Sequence, residues 1–341
     1  MNEQHELLRE TLERLFADHL TREVMEAAEQ GEWPAALWKE LEENGLTQPL
    51  LDEDSSFDDA RVIFEVAGGR AAPVPLAETA LAGWLLRGAG LDAPDGPISL
   101  ASGESLTLTE GGRLSGSAER VPWGRNAPHV VAEVRGEDGV RIALVESGAA
   151  DCAAGTNLAL EPRDTLRFDR ATVLACAPIA LLQEGESLRL YGALVRSAQI
   201  VGGLDYLLAE SVRFVGDRVQ FGRPLAKFQA IQHMLAVLAS ETAAAGAATQ
   251  AAFLAADRGN AAFEIAAAKI RSGEAAGEAA RIAHQVHGAI GFTYEHALHF
   301  ATRRLWSWRA EFGAEAFWAE TLGVAVAARG ADALWSDLTA R

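Results

Sequence analysis

The spacing of apolar residues changes twice along this chain of 341 residues. Up to about residue 93 they recur every three or four positions, which is typical of amphipathic helices. Residues 94–180 hold short runs in which apolar and polar residues alternate, as in half-buried strands. From residue 181 the helical period returns and continues to residue 341. This order predicts an α+β multidomain fold with an N-terminal helical domain, a central antiparallel β-barrel or sandwich, and a C-terminal antiparallel four-helix bundle.

Helix and turn signals predict the individual elements. In the N-terminal domain we expect helices over residues 4–30, from Pro34 to a stop at Asn44-Gly45, and over 57–70 and 75–90. In the central domain we expect strands over 98–101, 105–109, 130–134, 141–145 and 165–168, with turns at 110–112 and 136–139. In the C-terminal domain we expect helices over 188–217, 226–257, 261–287 and 311–338.

The net charge of −18 restricts the possible partners. It argues against nucleic acid and anionic membranes, because phosphate backbones need a basic surface. An anionic cofactor would need a local cluster of cations, for which the candidates are Arg213, Arg218, Arg223 and Lys227. The hydrophobic fraction of 49% is ample for a large buried core.

The start of the chain and its cysteines favour a cytoplasmic protein. Residues 1–10 are polar and acidic, unlike a signal peptide. No apolar run reaches the roughly 18 residues that span a bilayer. Cys152 and Cys176 lack metal or redox spacing and fit a reducing compartment. We therefore expect a soluble, cytoplasmic protein.

The first motif with chemical content is RVQFGRP, residues 218–224. Arg218 is a planar cation whose donors suit phosphate oxygens. Gly222 allows close approach of the backbone, and Phe221 offers an aromatic face beside the charge. The alternative reading of Arg218 is a cation that favours the end of a helix through the helix dipole.

A second motif, QVHGAIGF, covers residues 285–292. It places the amide of Gln285 ahead of a Gly-x-x-Gly bend formed by Gly288 and Gly291. No strand precedes this bend, so a Rossmann fingerprint is a poor interpretation. The remaining alternative is a plain helix stop.

Taken together, the two motifs resemble the FAD-contacting segments of the acyl-CoA dehydrogenase family, whose order of helical, β and helical domains the whole chain shares. The resemblance implies FAD as cofactor and an acyl-CoA as substrate. The first segment would hold the flavin pyrophosphate of a neighbouring subunit, and the second would lie along the adenosine half. The implied cofactor-binding residues are Arg218, Gln220, Phe221, Gly222, Phe228 and Gln229 in the first region, and Gln285, Gly288 and Ala289 in the second.

The same resemblance implies α,β-desaturation, in which a carboxylate base removes the α proton while a hydride leaves Cβ for the flavin. The two usual positions of that base match Phe312 and Gly192 here, and neither is a carboxylate. Glu311 is a candidate, but it lies one residue from the matching position, roughly 100° around a helix. Its alternative reading is a solvated acid at a helix end. Glu184, Glu186 and Asp205 lie farther from Gly192.

Three functions remain open at this stage. The first is an active FAD enzyme, as a homodimer or homotetramer, that passes electrons to an electron-transfer flavoprotein. The second is a subunit without a base that completes the FAD site of a longer acyl-CoA dehydrogenase chain in a hetero-oligomer. The third is a flavin-free acyl-CoA-binding scaffold.

Several other polar residues are given structural interpretations. The histidines His287, His296 and His299 near Glu295 could suggest a metal, but we expect interface or capping roles and no metal site. The stripe of Arg303, Arg304, Trp306, Trp308 and Arg309 is expected to pack or to meet an anionic cofactor rather than nucleic acid. Lys269 and Arg271 are expected on a solvated helix face.

Overall fold

The computed structural model describes residues 3–51, 55–103, 105–109, 111–136, 139–179 and 188–339. Its described N-terminal part consists of α1 (Glu3–His19), α2 (Arg22–Glu29), α3 (Ala35–Glu43), α4 (Phe57–Gly69) and α5 (Leu76–Gly88). The single helix predicted over residues 4–30 is wrong. Thr21 is extended and its side chain accepts a hydrogen bond from Val24 N, which caps a new helix at Arg22. The other three predicted helices are confirmed.

The central part is a sheet. Its strands are β1 (Ile98–Ser102), β2 (Thr107–Leu108), β3 (Arg113–Pro122), β4 (His129–Gly136), β5 (Gly139–Glu146), β6 (Ala150–Ala153) and β7 (Arg163–Pro178). They are ordered β1-β4-β5-β7-β3-β2, and β6 pairs with β7. The pair β1–β4 is parallel, so the sheet is mixed where the sequence predicted an antiparallel one.

Strands β3 and β6 were not predicted from the sequence. Pairing of β3 with β7 shifts register between Leu114 and Gly116 and again between Ala118 and Val121. Each irregularity interrupts the alternation of side chains that would reveal a strand. β6 is only four residues long and largely exposed, so it carries almost no apolar pattern.

The C-terminal part is helical, as predicted. It comprises α6 (Leu188–Asp217), a hairpin of β8 (Val219–Gln220) and β9 (Arg223–Pro224), then α7 (Gln229–Asp257), α8 (Ala262–His287), α9 (Leu298–Trp308), α10 (Glu315–Arg329) and α11 (Ala331–Thr339). The helix predicted over 311–338 begins later and is divided. Phe312 and Gly313 have positive φ angles, and Gly330, with φ +83°, separates α10 from α11. Helix α9 was not predicted.

Helix α6 is the centre of the molecule and packs against α4, α5, α7, α8 and α9. It crosses α4 at glycines, which lets the two backbones approach. A Cβ built on Gly68 would lie 2.6 Å from Cα of Gln199, and one on Gly202 would lie 2.7 Å from the carbonyl carbon of Glu65. The N-terminal and C-terminal parts therefore share one core. Among the described helices, none has both the length and the apolar character that crossing a membrane requires.

Some residues of the sequence predictions lie outside the described part of the chain. They are Glu110, Glu137 and Asp138 of the predicted turns, and the carboxylates Glu184 and Glu186. The predicted limit between the N-terminal and central domains, at residues 93 and 94, falls in the segment between α5 and β1.

Candidate functional site

The first motif forms a short hairpin at the end of α6. Phe221 and Gly222 connect β8 to β9 with φ angles of +52° and +78°. Two successive positive φ angles define the tight turn that suits a two-residue hairpin, in which glycine is favoured and phenylalanine is strained. The turn presents the side chain of Phe221 to solvent, and 90% of its surface is exposed. A strained and exposed aromatic residue points to a binding role.

The predicted cation cluster around the hairpin is partly neutralised. Arg213 is paired with Glu210 and Asp217. The guanidinium of Arg223 lies over the ring of Phe228, 4.2 Å from its centroid. Arg218 is exposed at the base of the hairpin, where its carbonyl accepts a hydrogen bond from Leu225 N. Among the described residues, none forms an ion pair with the Arg218 guanidinium, so its donors face solvent.

The second motif follows the end of α8. Gly288 has φ +63° and leads into a 3-10 turn over Gly288–Phe292. Gln285, Gly288 and Ala289 are all exposed. The glycine stops the helix because its backbone enters a region that residues with a Cβ rarely adopt.

The fold brings the two motifs to the same end of the bundle. Phe214, one turn before Arg218, stacks on His287 with 4.3 Å between ring centroids. The carbonyl of Phe214 accepts a hydrogen bond from Arg218 N. His287 lies two residues after Gln285. The cofactor-binding role of these residues stays a prediction, but they share one exposed surface.

The two positions that match the family's base also lie together. A Cβ built on Gly192 would lie 2.6 Å from Cγ of Phe312 and still closer to its Cδ1. Arg196, one turn along α6 from Gly192, covers the same ring with its Cζ 5.6 Å from the centroid. The space that would hold a carboxylate is therefore filled by an aromatic ring, which cannot accept a proton.

Glu311, the candidate base, is buried between two arginines and is not the solvated acid of the alternative reading. Its Oε1 accepts a hydrogen bond from Arg163 Nε at 2.7 Å, and its Oε2 accepts one from Arg196 Nε at 2.8 Å. Burial alone would raise the pKa of Glu311, but the charges of Arg163 and Arg196 outweigh it and lower the pKa to about 2. A base works best with a pKa near the working pH. The arrangement suits a structural ion pair.

This ion pair is part of a buried network that joins all three parts of the chain. Glu78 of α5 pairs with Arg196, and Glu161, just before β7, pairs with Arg163 and Arg304. Trp308 Nε1 also donates to Glu161. The network contains equal numbers of acids and arginines, so its charges compensate one another in a dry environment.

Two adjoining cavities lie between the sheet and the C-terminal helices. One, of about 390 Å³, is bounded by the turn between α9 and α10 that contains Phe312, here called the Phe312 turn. The other, of about 550 Å³, extends toward α10. They share Ser102, Arg189 and Phe317 as lining residues. The carboxylates in their described walls are Glu119, Glu133 and Glu311. The cavities are large enough for an organic ligand.

The expectation that Lys269 lies on a solvated helix face is wrong. Lys269 is fully buried, and its Nζ donates to the carbonyls of Arg309 and Gly313 at 2.7 and 2.9 Å. Burial lowers its pKa to about 8. Lys269 lies four residues after Ile265 and three before Ser272, on the buried face of α8. That spacing could have shown that the lysine faces inward.

The histidine cluster has a hydrogen-bonding arrangement that fits capping. His296 Nδ1 accepts from Leu298 N at the start of α9, so Nε2 carries the proton and points to Glu210 Oε1, 3.4 Å away. His287, Glu210 and His296 are close enough in space to suggest a metal site. Glu210 is already paired with Arg213, and His296 would have to give up its bond to Leu298 before it could bind a metal.

The remaining predicted residues have ordinary structural places. Arg304 and Trp308 are buried, and Arg309 pairs with Glu315, in agreement with packing. Arg271 is half-buried on α8 and pairs with Glu274 and with Glu241 of α7. Asp205 lies thirteen residues from Gly192 on α6, about 20 Å along the axis, and cannot reach the Phe312 turn.

The fold and this site define a three-part protein of helical, β and helical construction. The family model for the N-terminal domain of acyl-CoA dehydrogenases matches residues 2–92, and the model for their C-terminal domain matches residues 190–325. The chain belongs to the acyl-CoA dehydrogenase family.

The chain is also similar to individual proteins in sequence or in fold. The chain is 29% identical over 314 residues to acyl-CoA dehydrogenase IpdE2 of Mycolicibacterium smegmatis, which covers 89% of this chain and 93% of that protein. A solved variant of the steroid acyl-CoA dehydrogenase Tcur3481-Tcur3483 has the same fold, with a TM-score of 0.87 and 24% identity over 96% of this chain and 99% of that one. The ChsE4-ChsE5 complex from Mycobacterium tuberculosis gives a TM-score of 0.82 at 21% identity, over 95% and 97% of the two chains.

Proposed function

We propose that this chain is the flavin-completing subunit of a hetero-oligomeric, FAD-dependent acyl-CoA dehydrogenase. A longer chain of the same family would supply the base and bind the acyl-CoA that is desaturated. This chain would supply the Arg218 hairpin and the residues around Gln285 to the partner's FAD. The bound FAD would accept the electrons, and an electron-transfer flavoprotein would carry them away. The contact between Gly192 and Phe312 carries the proposal, because the two positions that match the family's base lie together and neither holds a carboxylate.

The two halves of the chain fit FAD differently. At the exposed end of the bundle, the Arg218 guanidinium pairs with no side chain in the described part of the chain. The turn at Gly222 is open, with no atom within 4 Å of the place of a Cβ. These features suit a pyrophosphate and its flanking rings. At the inner cavity, Phe312 fills the base position and Glu311 is bound by two arginines. The residues therefore fit a role in which this chain contacts the FAD of a partner chain. They fit poorly a complete active site within this chain.

The similar proteins are consistent with this division. Two of the solved structures with this fold are named as pairs of different chains, Tcur3481-Tcur3483 and ChsE4-ChsE5. The name of the first includes the words steroid ACAD. A bulky steroid thioester is accordingly one acyl-CoA to include among the test substrates.

The test is to express the chain alone and then together with a longer acyl-CoA dehydrogenase chain from the same organism. We expect the chain alone to be colourless and the pair to be yellow, with flavin absorbance bleached by an acyl-CoA. A yellow homo-oligomer bleached by an acyl-CoA would show that this chain is an active enzyme by itself and would refute the proposal. A pair that forms without flavin would favour the scaffold.

A point variant tests the predicted phosphate contact within the pair. Arg218→Gln should weaken FAD binding by about ten- to a hundredfold, the range expected for a lost charge-assisted hydrogen bond. Arg258→Gln is the matched control, because Arg258 is exposed at the other end of α7, about 40 Å away. FAD affinity measured by flavin fluorescence should be unchanged in the control.

A further inference from the structure

The loop that carries the glycine part of the second motif depends on other elements for its position. Residues 288–297 connect α8 to α9, and only the 3-10 turn Gly288–Phe292 within them is regular. Beyond the turn, the segment's own backbone bonds include Thr293 N to Ile290 O at 3.1 Å and a long one from His296 N to Thr293 O at 3.4 Å. So little internal bonding does not fix a loop.

An arginine from the N-terminal domain holds this loop from outside. Arg22 is the first residue of α2, and its Nη1 donates to the carbonyl of Glu295 at 2.8 Å. Its Nη2 donates to the carbonyl of Tyr294, and its Nε donates to Glu26 Oε1 at 2.7 Å. The planar guanidinium therefore bridges two successive carbonyls while a carboxylate orients it, an arrangement that the single ammonium of a lysine cannot reproduce.

The placement of Arg22 follows from the way α2 lies on α9. Arg22, Met25 and Glu29 share one face of α2 because they are spaced by three and four residues. Met25 packs with Phe300 of α9, and Glu29 pairs with Arg303 at 3.1 Å. With these two contacts fixed, Arg22 reaches the loop at the near end of the helix.

The inner side of the loop touches α6 and α8. His296 Nε2 lies 3.4 Å from Glu210 Oε1, and the ring of His296 lies 4.9 Å from that of His287. His287 stacks on Phe214, whose carbonyl accepts from Arg218 N. A continuous set of contacts therefore runs from Arg22 through the loop to the base of the hairpin.

We propose that Arg22 is a positioning residue that sets the loop carrying Gly288 and Ala289 at the correct distance from the Arg218 hairpin. One dinucleotide can meet both motifs only when their separation is fixed before it binds. The N-terminal domain then takes part in flavin binding without touching the flavin. This inference rests on the proposed function, since it assumes that the two motifs serve one FAD.

We call the contact of Arg22 with the carbonyls of Tyr294 and Glu295 the clamp. Hydrogen exchange of the isolated full-length chain tests it without any flavin. Arg22→Gln should speed exchange across residues 288–297 and leave α8 unchanged, and Arg22→Lys should give an intermediate rate. Arg281→Gln is the matched control, because Arg281 is exposed on α8 and pairs with Glu278. Unchanged exchange in Arg22→Gln relative to this control overturns the clamp.

FAD affinity of the two-chain complex tests the functional consequence. Arg22→Gln should weaken FAD binding by about tenfold, while Arg22→Lys should restore part of the affinity. The mass of the complex and its melting temperature should stay at the values of the Arg281→Gln control, whereas a purely structural residue would lower them together with the affinity. Faster exchange with unaltered FAD affinity overturns the positioning role. A wild-type pair that binds no FAD refutes the proposed function instead, and the exchange experiment still decides the clamp.

Discussion

The ring of Phe312 packs directly on Gly192 and lies where a side chain on residue 192 would begin. One residue is on α6 and the other in the turn before α10, so the contact closes the gap between the two elements. In the family resemblance, each position is a place for a carboxylate. A carboxylate side chain at position 192 would overlap the Phe312 ring, so this ring fills the space at both positions.

Gly192→Ala should destabilise the chain by about 1–3 kcal/mol, because the added methyl group overlaps the Phe312 ring. Urea unfolding would measure the change. Gly216→Ala is a matched control on the same helix, since no atom lies within 4 Å of its would-be Cβ. That control should be neutral or stabilising by up to about 1 kcal/mol. Equal stabilities of the two variants would contradict the packing described here.

Glu311→Gln should cost about 3–5 kcal/mol of unfolding free energy, because it leaves the charges of Arg163 and Arg196 uncompensated in the core. The pKa of Glu311 is lowered from 4.5 to about 2, so its contribution is complete above pH 4.5 and is lost as the pH falls toward 2. Acid unfolding followed by circular dichroism should show this loss in the wild type and not in the variant. Glu43→Gln, at an exposed pair with Lys39, should change stability by less than about 1 kcal/mol.

A catalytic role for Glu311 would give the opposite signature. In that case Glu311→Gln would abolish turnover in the assembled enzyme while leaving the unfolding free energy close to that of the wild type. Measuring both quantities on one preparation separates the structural role from the catalytic one.

Lys269→Met should remove a pH dependence of stability on the alkaline side. The pKa of Lys269 is lowered from 10.5 to about 8, so the unfolded chain binds the extra proton between these values. Wild-type stability should therefore rise with pH in that window by up to about 1.4 kcal/mol per pH unit, relative to the variant. Urea unfolding at several pH values checks this. The exposed lysine variant Lys39→Met should show the same pH dependence of stability as the wild type. Parallel curves for Lys269→Met and the wild type would show that burial does not destabilise the Lys269 ammonium.

Phe221→Asn should separate folding from flavin binding. Asparagine followed by glycine suits the turn better than phenylalanine does, so the isolated chain should be as stable as the wild type or slightly more stable. The loss of the exposed ring should weaken FAD binding by the two-chain complex. Thermal melting and flavin fluorescence measure the two effects. A stable variant that binds FAD as tightly as the wild type would mean that Phe221 serves another purpose.

Local signals in the sequence were sufficient for most of the fold. The helices α3 to α8 follow from apolar spacing together with stops such as Asn44-Gly45 and Gly288. Irregular strands such as β3 were missed because bulges break the alternation. The division at Thr21 was missed because a single capping residue is a weak signal within a long apolar period.

The sequence by itself determined the order of helical and β parts, the two exposed motifs and the absence of a carboxylate at positions 192 and 312, because these depend on residue type and short-range spacing. The tertiary structure decided the environment of the charged residues. Lys269 was expected on a solvated face, and the alternative reading of Glu311 was a solvated acid. Both residues are buried, since burial depends on which elements pack over a residue and not on its neighbours in the chain. The same holds for Arg22, whose two carbonyl partners in the loop lie more than 270 residues away.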